Sequence, residues 1–160
     1  MGFGDDFESA NFSGGSGWGG TWTTAGSVKV PALSTFTYRG YSVELQRDAS
    51  LTRNFDTPIT NATLSFGWDV DNLASGDTAV VEVSTNGTTW DQVWSKSSSD
   101  NGSDSVGTPD IIATNTSTIS LSSYGAISKI RFRANISANA KRWWLDDVFV
   151  SGSLAGATTN

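Results

Sequence analysis

Four short stretches alternate apolar and polar residues with a period of two, and none of them keeps the spacing of a helix. In "TLSFGWDV", Leu64, Phe66, Trp68 and Val70 alternate with Thr63, Ser65, Gly67 and Asp69. "AVVEVST" sets Ala79, Val81 and Val83 against Val80, Glu82 and Ser84, and "KIRFRAN" sets Ile130, Phe132 and Ala134 against Lys129, Arg131 and Arg133. "YSVELQ" offers Val43 and Leu45 against Ser42, Glu44 and Gln46. Successive side chains of an extended chain point to opposite faces, so each stretch makes a strand with one face in a core.

Turn residues punctuate these strands: "NLASGD", "TNGTT", "SSSDNGSDSVGTPD" and "ISANA". Asn86-Gly87 between two strand patterns predicts a hairpin, and "LSSYGAIS" has room for one short helical turn. Short strands at this density predict an all-β fold, an antiparallel β-sandwich of jelly-roll type. Residues 1–152 form the module, and 153–160, the end of "SGSLAGATTN", read as a flexible C-terminal linker or tail. The loop from Ser97 to Pro109 is rich in Ser and Asp and is expected to be mobile.

With 160 residues the chain suits one domain with a real core. Its net charge of −6 argues against nucleic acid as a partner, because phosphate binding needs a basic surface. No apolar run reaches the roughly 18 residues of a membrane span, so no membrane insertion is expected. Cys and His are absent, which excludes thiol nucleophiles, Ser-His-Asp triads and zinc sites of the usual kind. No nucleophile elbow or phosphate loop is present. Asp146 and Asp147 are adjacent in a strand pattern, point to opposite faces and cannot flank one glycosidic bond. A non-catalytic protein is expected. Asn-x-Ser/Thr sequons begin at Asn11, Asn61, Asn86, Asn101, Asn115 and Asn135.

Three stretches carry a resemblance. "DDFESANFSGGSGWGGTW" opens the chain, "SGDTAVVEVSTNGTTWDQV" lies in the middle, and "WWLDDVFV" closes it. Together they resemble the jelly-roll modules of secreted proteins, namely MAM-like domains and related carbohydrate-binding modules. The likeness runs from about residue 3 to residue 152. Animal MAM domains carry disulfides and this chain has no Cys, which favours the microbial branch. The resemblance implies an extracellular, secreted or cell-surface location within a larger multidomain chain. It also implies a structural calcium where the first and last strands meet. Calcium takes oxygen ligands, and Glu8 and Asp146 stand at the family-like positions. If Val148 and Val150 face the core, strict alternation turns Asp146 to the same side and Asp147 away. Asp6 alternates onto the side of Glu8, and Asp48 in "RDAS" offers a further ligand. The alternative is that these carboxylates lie in solvated loops.

Seven Trp in one small chain call for placement. Phe66, Trp68, Phe132 and Phe149 lie within strand patterns and read as core or sheet-packing residues, and Trp90 at a strand start reads as structural. Trp18 and Trp22 sit in a Gly-rich segment and either fold back onto the sandwich or stand exposed. Trp94 and Trp143 are expected on outward faces. An exposed Trp offers a plane for the C–H face of a sugar, and Arg131, Arg133 and Glu82 on the non-core face offer hydrogen bonds to its hydroxyls; Glu44, Gln46 and Asp69 are placed there too. The expected ligand set is therefore Trp94, Trp143, Arg131, Arg133 and Glu82, with Trp18 and Trp22 flanking. It makes the chain a carbohydrate-binding module whose partner is a polysaccharide or glycan, an accessory domain of a polysaccharide-degrading enzyme or cell-surface protein. The bland alternative is a structural or adhesive spacer, with the Glu82–Arg pairs as ordinary cross-strand ion pairs.

Overall fold

The period-two stretches become strands whose apolar rows meet in one core. The computed structural model describes residues 2–7, 9, 12–15, 20–29, 42–101, 116–137 and 141–156. Among them run β1 (Gly2–Asp5), β2 (Thr23–Lys29), β3 (Val43–Asp71), β4 (Thr78–Ser84), β5 (Asp91–Lys96), β6 (Thr116–Ser120), β7 (Ile127–Asn135) and β8 (Arg142–Leu154). Every ladder between them is antiparallel. The neighbours run β1-β8-β3-β7-β4-β5, with β2 and β6 also paired to β3.

The 29-residue β3 makes two layers out of this order. Its first half pairs with β2 and β7; its second half pairs with β6 and β8. Between the halves, the register to β7 and β8 shifts across Asp56-Thr57-Pro58. The start of β8 ties both halves together, since Leu145 stands opposite Val43 on one side and Trp68 on the other. The result is an all-β sandwich consistent with jelly-roll topology. Leu45, Leu51, Phe66, Val81, Phe132 and Trp143 fill the space between the layers. Burying one such side chain contributes about 1.5–3 kcal/mol.

The alternation in β4, β7 and the start of β3 holds as expected: Ala79, Val81, Val83, Ile130, Phe132, Ala134, Val43 and Leu45 are all buried. The hairpin at Asn86-Gly87 forms, and Gly87 adopts φ 83°, which costs a glycine little. The Asn86 Oδ1 accepts the backbone N–H groups of Thr88 (2.9 Å) and Thr89 (2.8 Å). A single 3-10 turn, Ser122–Tyr124, occupies "LSSYGAIS". At the chain's end β8 continues through Leu154, two residues past 152. Leu154 stands opposite Ile59, and the N–H of Ala155 donates to the Pro58 carbonyl at 2.7 Å.

Strict alternation fails in β8. Asp147 adopts φ 48° and the pairing slips between Ser65 and Gly67 of β3. One extra residue in a strand reverses which face every later side chain takes. Trp143 and Leu145 therefore share the core side with Val148 and Val150, while Trp144 and Asp146 take the opposite side. This corrects the expectation that Asp146 shares a side with Val148. Phe149, read as core or sheet-packing, takes the second role: it stands 48% exposed, its ring lying over Gly2 and Gly4 of β1.

Asp77 closes the corner between β3 and β4. Its carboxylate accepts the N–H of Ala74 at 2.8 Å and the N–H of Ser137 at 3.1 Å, with Lys141 Nζ at 3.4 Å. Burial pushes its pKa up, but these bonds and the Ser137 hydroxyl outweigh that and hold it below the usual carboxylate range. The folded pKa is thus depressed. The stabilisation is fully present above the unfolded value of about 3.9 and is lost as pH falls through the folded pKa. Urea melts between about pH 5 and pH 2 should show the wild type losing stability more steeply than Asp77→Asn; parallel curves would contradict this role.

Candidate functional site

The outer face of β4 and β7 brings three of the expected residues together. Arg131 stands opposite Glu82 and Arg133 opposite Val80. Alternation makes this so: Phe132 and Ala134 occupy the core side, which leaves the arginines outside. Glu82 Oε1 accepts from Arg131 Nε at 3.0 Å and from Arg133 Nε at 2.8 Å, and Arg131 Nη2 also lies 3.0 Å away. Side-chain exposure rises from 9% at Glu82 to 23% at Arg131 and 38% at Arg133. Both Nη atoms of Arg133 and Nη1 of Arg131 remain without a partner among the described residues. The guanidinium of Arg131 also lies 4.1 Å over the ring of half-buried Trp90. Trp90, read from sequence as structural, is thus the aromatic of this face.

The Trp residues expected beside these arginines are elsewhere. Trp143 is fully buried. Its ring stacks on Trp94 at 5.7 Å and tilts against Phe132 at 5.9 Å. Trp94 stands opposite the core residue Val81, beside a bulge in the β4–β5 ladder, and turns inward rather than outward. Its indole N–H and that of Trp68 both donate to Ser117 Oγ, at 3.0 and 2.9 Å, and Lys96 Nζ sits over both rings. This cluster seals one mouth of the sandwich. Trp22 folds back: it is 3% exposed, and its N–H donates to Asp5 Oδ2 at 2.8 Å. Trp143 and Trp22 are therefore buried packing residues, which corrects their placement on an exposed sugar platform, and Trp94 packs partly buried against the same core. Trp18 lies outside the described residues.

Glu44, Gln46 and Asp69 do not join the Arg131 face either. They are buried on the outer side of the β3–β8 ladder, where Glu44 and Asp69 flank Trp144. Arg142 Nε lies 3.6 Å from Glu44 Oε1.

Of the calcium ligands read from sequence, Asp6 and Asp48 line different cavities. Asp6 and Asp147 line one cavity of about 390 Å³ with Asp5 and Phe149. Asp5 is already engaged, by Trp22, by the N–H of Phe7 at 2.8 Å and by Arg53 at 3.5 Å. Asp146 is buried, and its Oδ1 accepts the N–H of Asp147 at 2.8 Å. Asp48 lines a different cavity, with Arg47 and Asp77. Glu8 lies outside the described residues. No three Asp or Glu side chains converge in a metal-holding group among the described residues.

No family model and no curated protein matches the sequence. Solved structures do match. The K2 cleaved adhesin domain of Lys-gingipain is 19% identical with a TM-score of 0.63, over 94% of this chain and 99% of that one. A family 61 carbohydrate-binding module, solved with β-1,4-galactotriose, is 17% identical with a TM-score of 0.55, over 92% and 94%. The CBM22-1 xylan-binding domain of Paenibacillus barcinonensis Xyn10C is 18% identical with a TM-score of 0.54, over 96% and 94%. At these identities the likeness shows a shared β-sandwich fold. Among the described residues no helix is long and apolar enough to cross a membrane.

Proposed function

We propose that this chain is a non-catalytic, extracellular carbohydrate-binding module, an accessory domain of a larger secreted or cell-surface protein, and that it holds glycan on the outer face of β4 and β7. One observation carries the reading: Arg131 and Arg133 are fixed by a shared Glu82 oxygen, Arg131 also by the Trp90 ring, yet both keep N–H groups directed to no other described residue. Guanidinium groups held in place lose little freedom on binding, and hydroxyl pairs suit their planar fork. The shared fold with modules solved as sugar complexes supports the same reading.

Affinity electrophoresis through gels of soluble polysaccharide tests it. Trp90→Ala should cut binding by about 2 kcal/mol, near thirtyfold, because a central aromatic and the support of Arg131 go together. Its melting curve should shift little, since the ring is only half buried. A chain that migrates unretarded through every polysaccharide would be the spacer or adhesive module instead.

A structural calcium at the meeting of β1 and β8 is proposed with it, held by Asp146, Asp6 and Glu8. Support comes from the oxygen donors of Asp6 and Asp147 around one cavity at the meeting of β1 and β8, next to Asp146 in the chain. Chelation should lower the melting temperature, and Asp146→Ala should remove that sensitivity. Identical melting with calcium and with excess chelator would refute the metal.

A further inference from the structure

The charges on the outer β4–β7 face favour one class of glycan. β7 presents Lys129, Arg131 and Arg133 outward at every second position. Their neighbours across the ladder to β3 are Asn54, Thr52 and Ser50, all neutral. On β4 they meet Ser84, Glu82 and Val80. The remaining charged residues of β4 and β5 are Asp91 and Lys96, which stand opposite the core-facing Val83 and Ala79. The face therefore carries three cations against one anion, a sum of 3 − 1 = +2. The whole chain carries −6. A binding face of sign opposite to its protein selects ligands by charge.

From this we infer that the ligand is an acidic polysaccharide bearing a carboxylate on its sugar units, as a polyuronate does. The inference rests on the proposed glycan-binding face and names its ligand class. Glu82 occupies the Nε edge of Arg133 and leaves the two Nη atoms for a bidentate carboxylate contact, the geometry in which Arg outperforms Lys. Residues two apart on a strand are about 6.6 Å apart, so the three cations make a row of about 13 Å. A row of that length fits a polymer with repeated charges better than a single small anion. Trp90, beneath Arg131, supplies the apolar contact that ties recognition to a sugar.

Affinity electrophoresis and calorimetry with polygalacturonate, neutral galactan, xylan and dextran sulfate test the inference. Polygalacturonate should bind more tightly than either neutral glycan, and its binding should weaken by at least about tenfold from about 50 to about 500 mM NaCl. Arg133→Ala should cost about tenfold or more, and Arg133→Lys should restore only part, because an ammonium cannot make the paired contact. Melting curves check that both variants fold, and Lys129→Ala offers a second reading at a site with no described ion pair. If a neutral glycan binds as well as polygalacturonate and loses its binding in Trp90→Ala, the glycan face stands and the acidic-ligand inference fails. Dextran sulfate bound in place of polygalacturonate would overturn the carboxylate. Binding to none of the four would overturn both the face and the inference.

Discussion

Trp143→Ala should lower folding stability by about 3–5 kcal/mol and leave any glycan affinity of the surviving folded fraction unchanged. The residue is fully buried, and its ring packs on aromatic rings of two other strands. Phe132 of β7 lies at 5.9 Å and Trp94 of β5 at 5.7 Å, the latter nearly parallel at 24°. Trp94 in turn packs edge-on to Phe66 at 5.0 Å and to Trp68 at 5.4 Å. Removing the indole opens a cavity between layers joined by long strands, which relax little. Trp143→Phe should cost distinctly less: it keeps a ring in place, and the lost indole N–H has no acceptor among the described residues, so its burial is a cost the variant avoids. Urea denaturation of both variants decides. A loss below about 1 kcal/mol for Trp143→Ala would mean that the side chain reaches solvent.

The same residue shows where sequence reading runs out. Alternation in "TLSFGWDV", "AVVEVST" and "KIRFRAN" identified core rows because no extra residue interrupts those stretches; the bulges in their ladders lie on β8 and β5. "KRWWLDDVFV" breaks it at Asp147, and that one bulge misplaced Trp143 and Asp146 together. Positive φ is uncommon outside glycine, and Asp is among the residues that tolerate it. The Asp-Asp pair was thus a readable hint of the bulge, although nothing in the sequence said which way the strand would turn. Trp94 escaped for a similar reason, since the bulge in the β4–β5 ladder lies beside it. Trp90 precedes its strand, where alternation has no force, and only the fold brings it against Arg131. Glu82, Arg131 and Arg133 were legible as a group because each lies in an unbroken strand.

A stronger signal went unread in "ASLTRNF". Ala49, Leu51 and Phe55 alternate into the core, and Arg53 falls on the same row. A charge on a core row needs a buried partner.

That partner is Asp5, and breaking the pair should destabilise the protein by about 3–5 kcal/mol. Arg53 is 2% exposed, and its Nη1 lies 3.5 Å from Asp5 Oδ2. The same Nη1 donates to the Gly14 carbonyl at 3.0 Å, Nη2 donates to the Gly20 carbonyl, and the guanidinium lies 5.2 Å from the centre of the Trp22 ring. Burial pushes the Arg53 pKa below its ordinary value, and the Asp5 charge opposes the shift. One arginine thus fastens β1, the Gly-rich segment before β2 and Trp22 onto β3. Asp5→Ala takes this anion from a buried cation and an acceptor from the N–H groups of Trp22 and Phe7. Arg53→Met leaves Asp5 with those two donors and should cost less. The double variant should be more stable than the sum of the single losses predicts, by about 0.5–3 kcal/mol, since the second change removes a charge that the first left stranded. A double-mutant cycle by urea denaturation measures this coupling directly. Additive losses would mean that the two groups act independently and that other contacts hold Arg53 in the core.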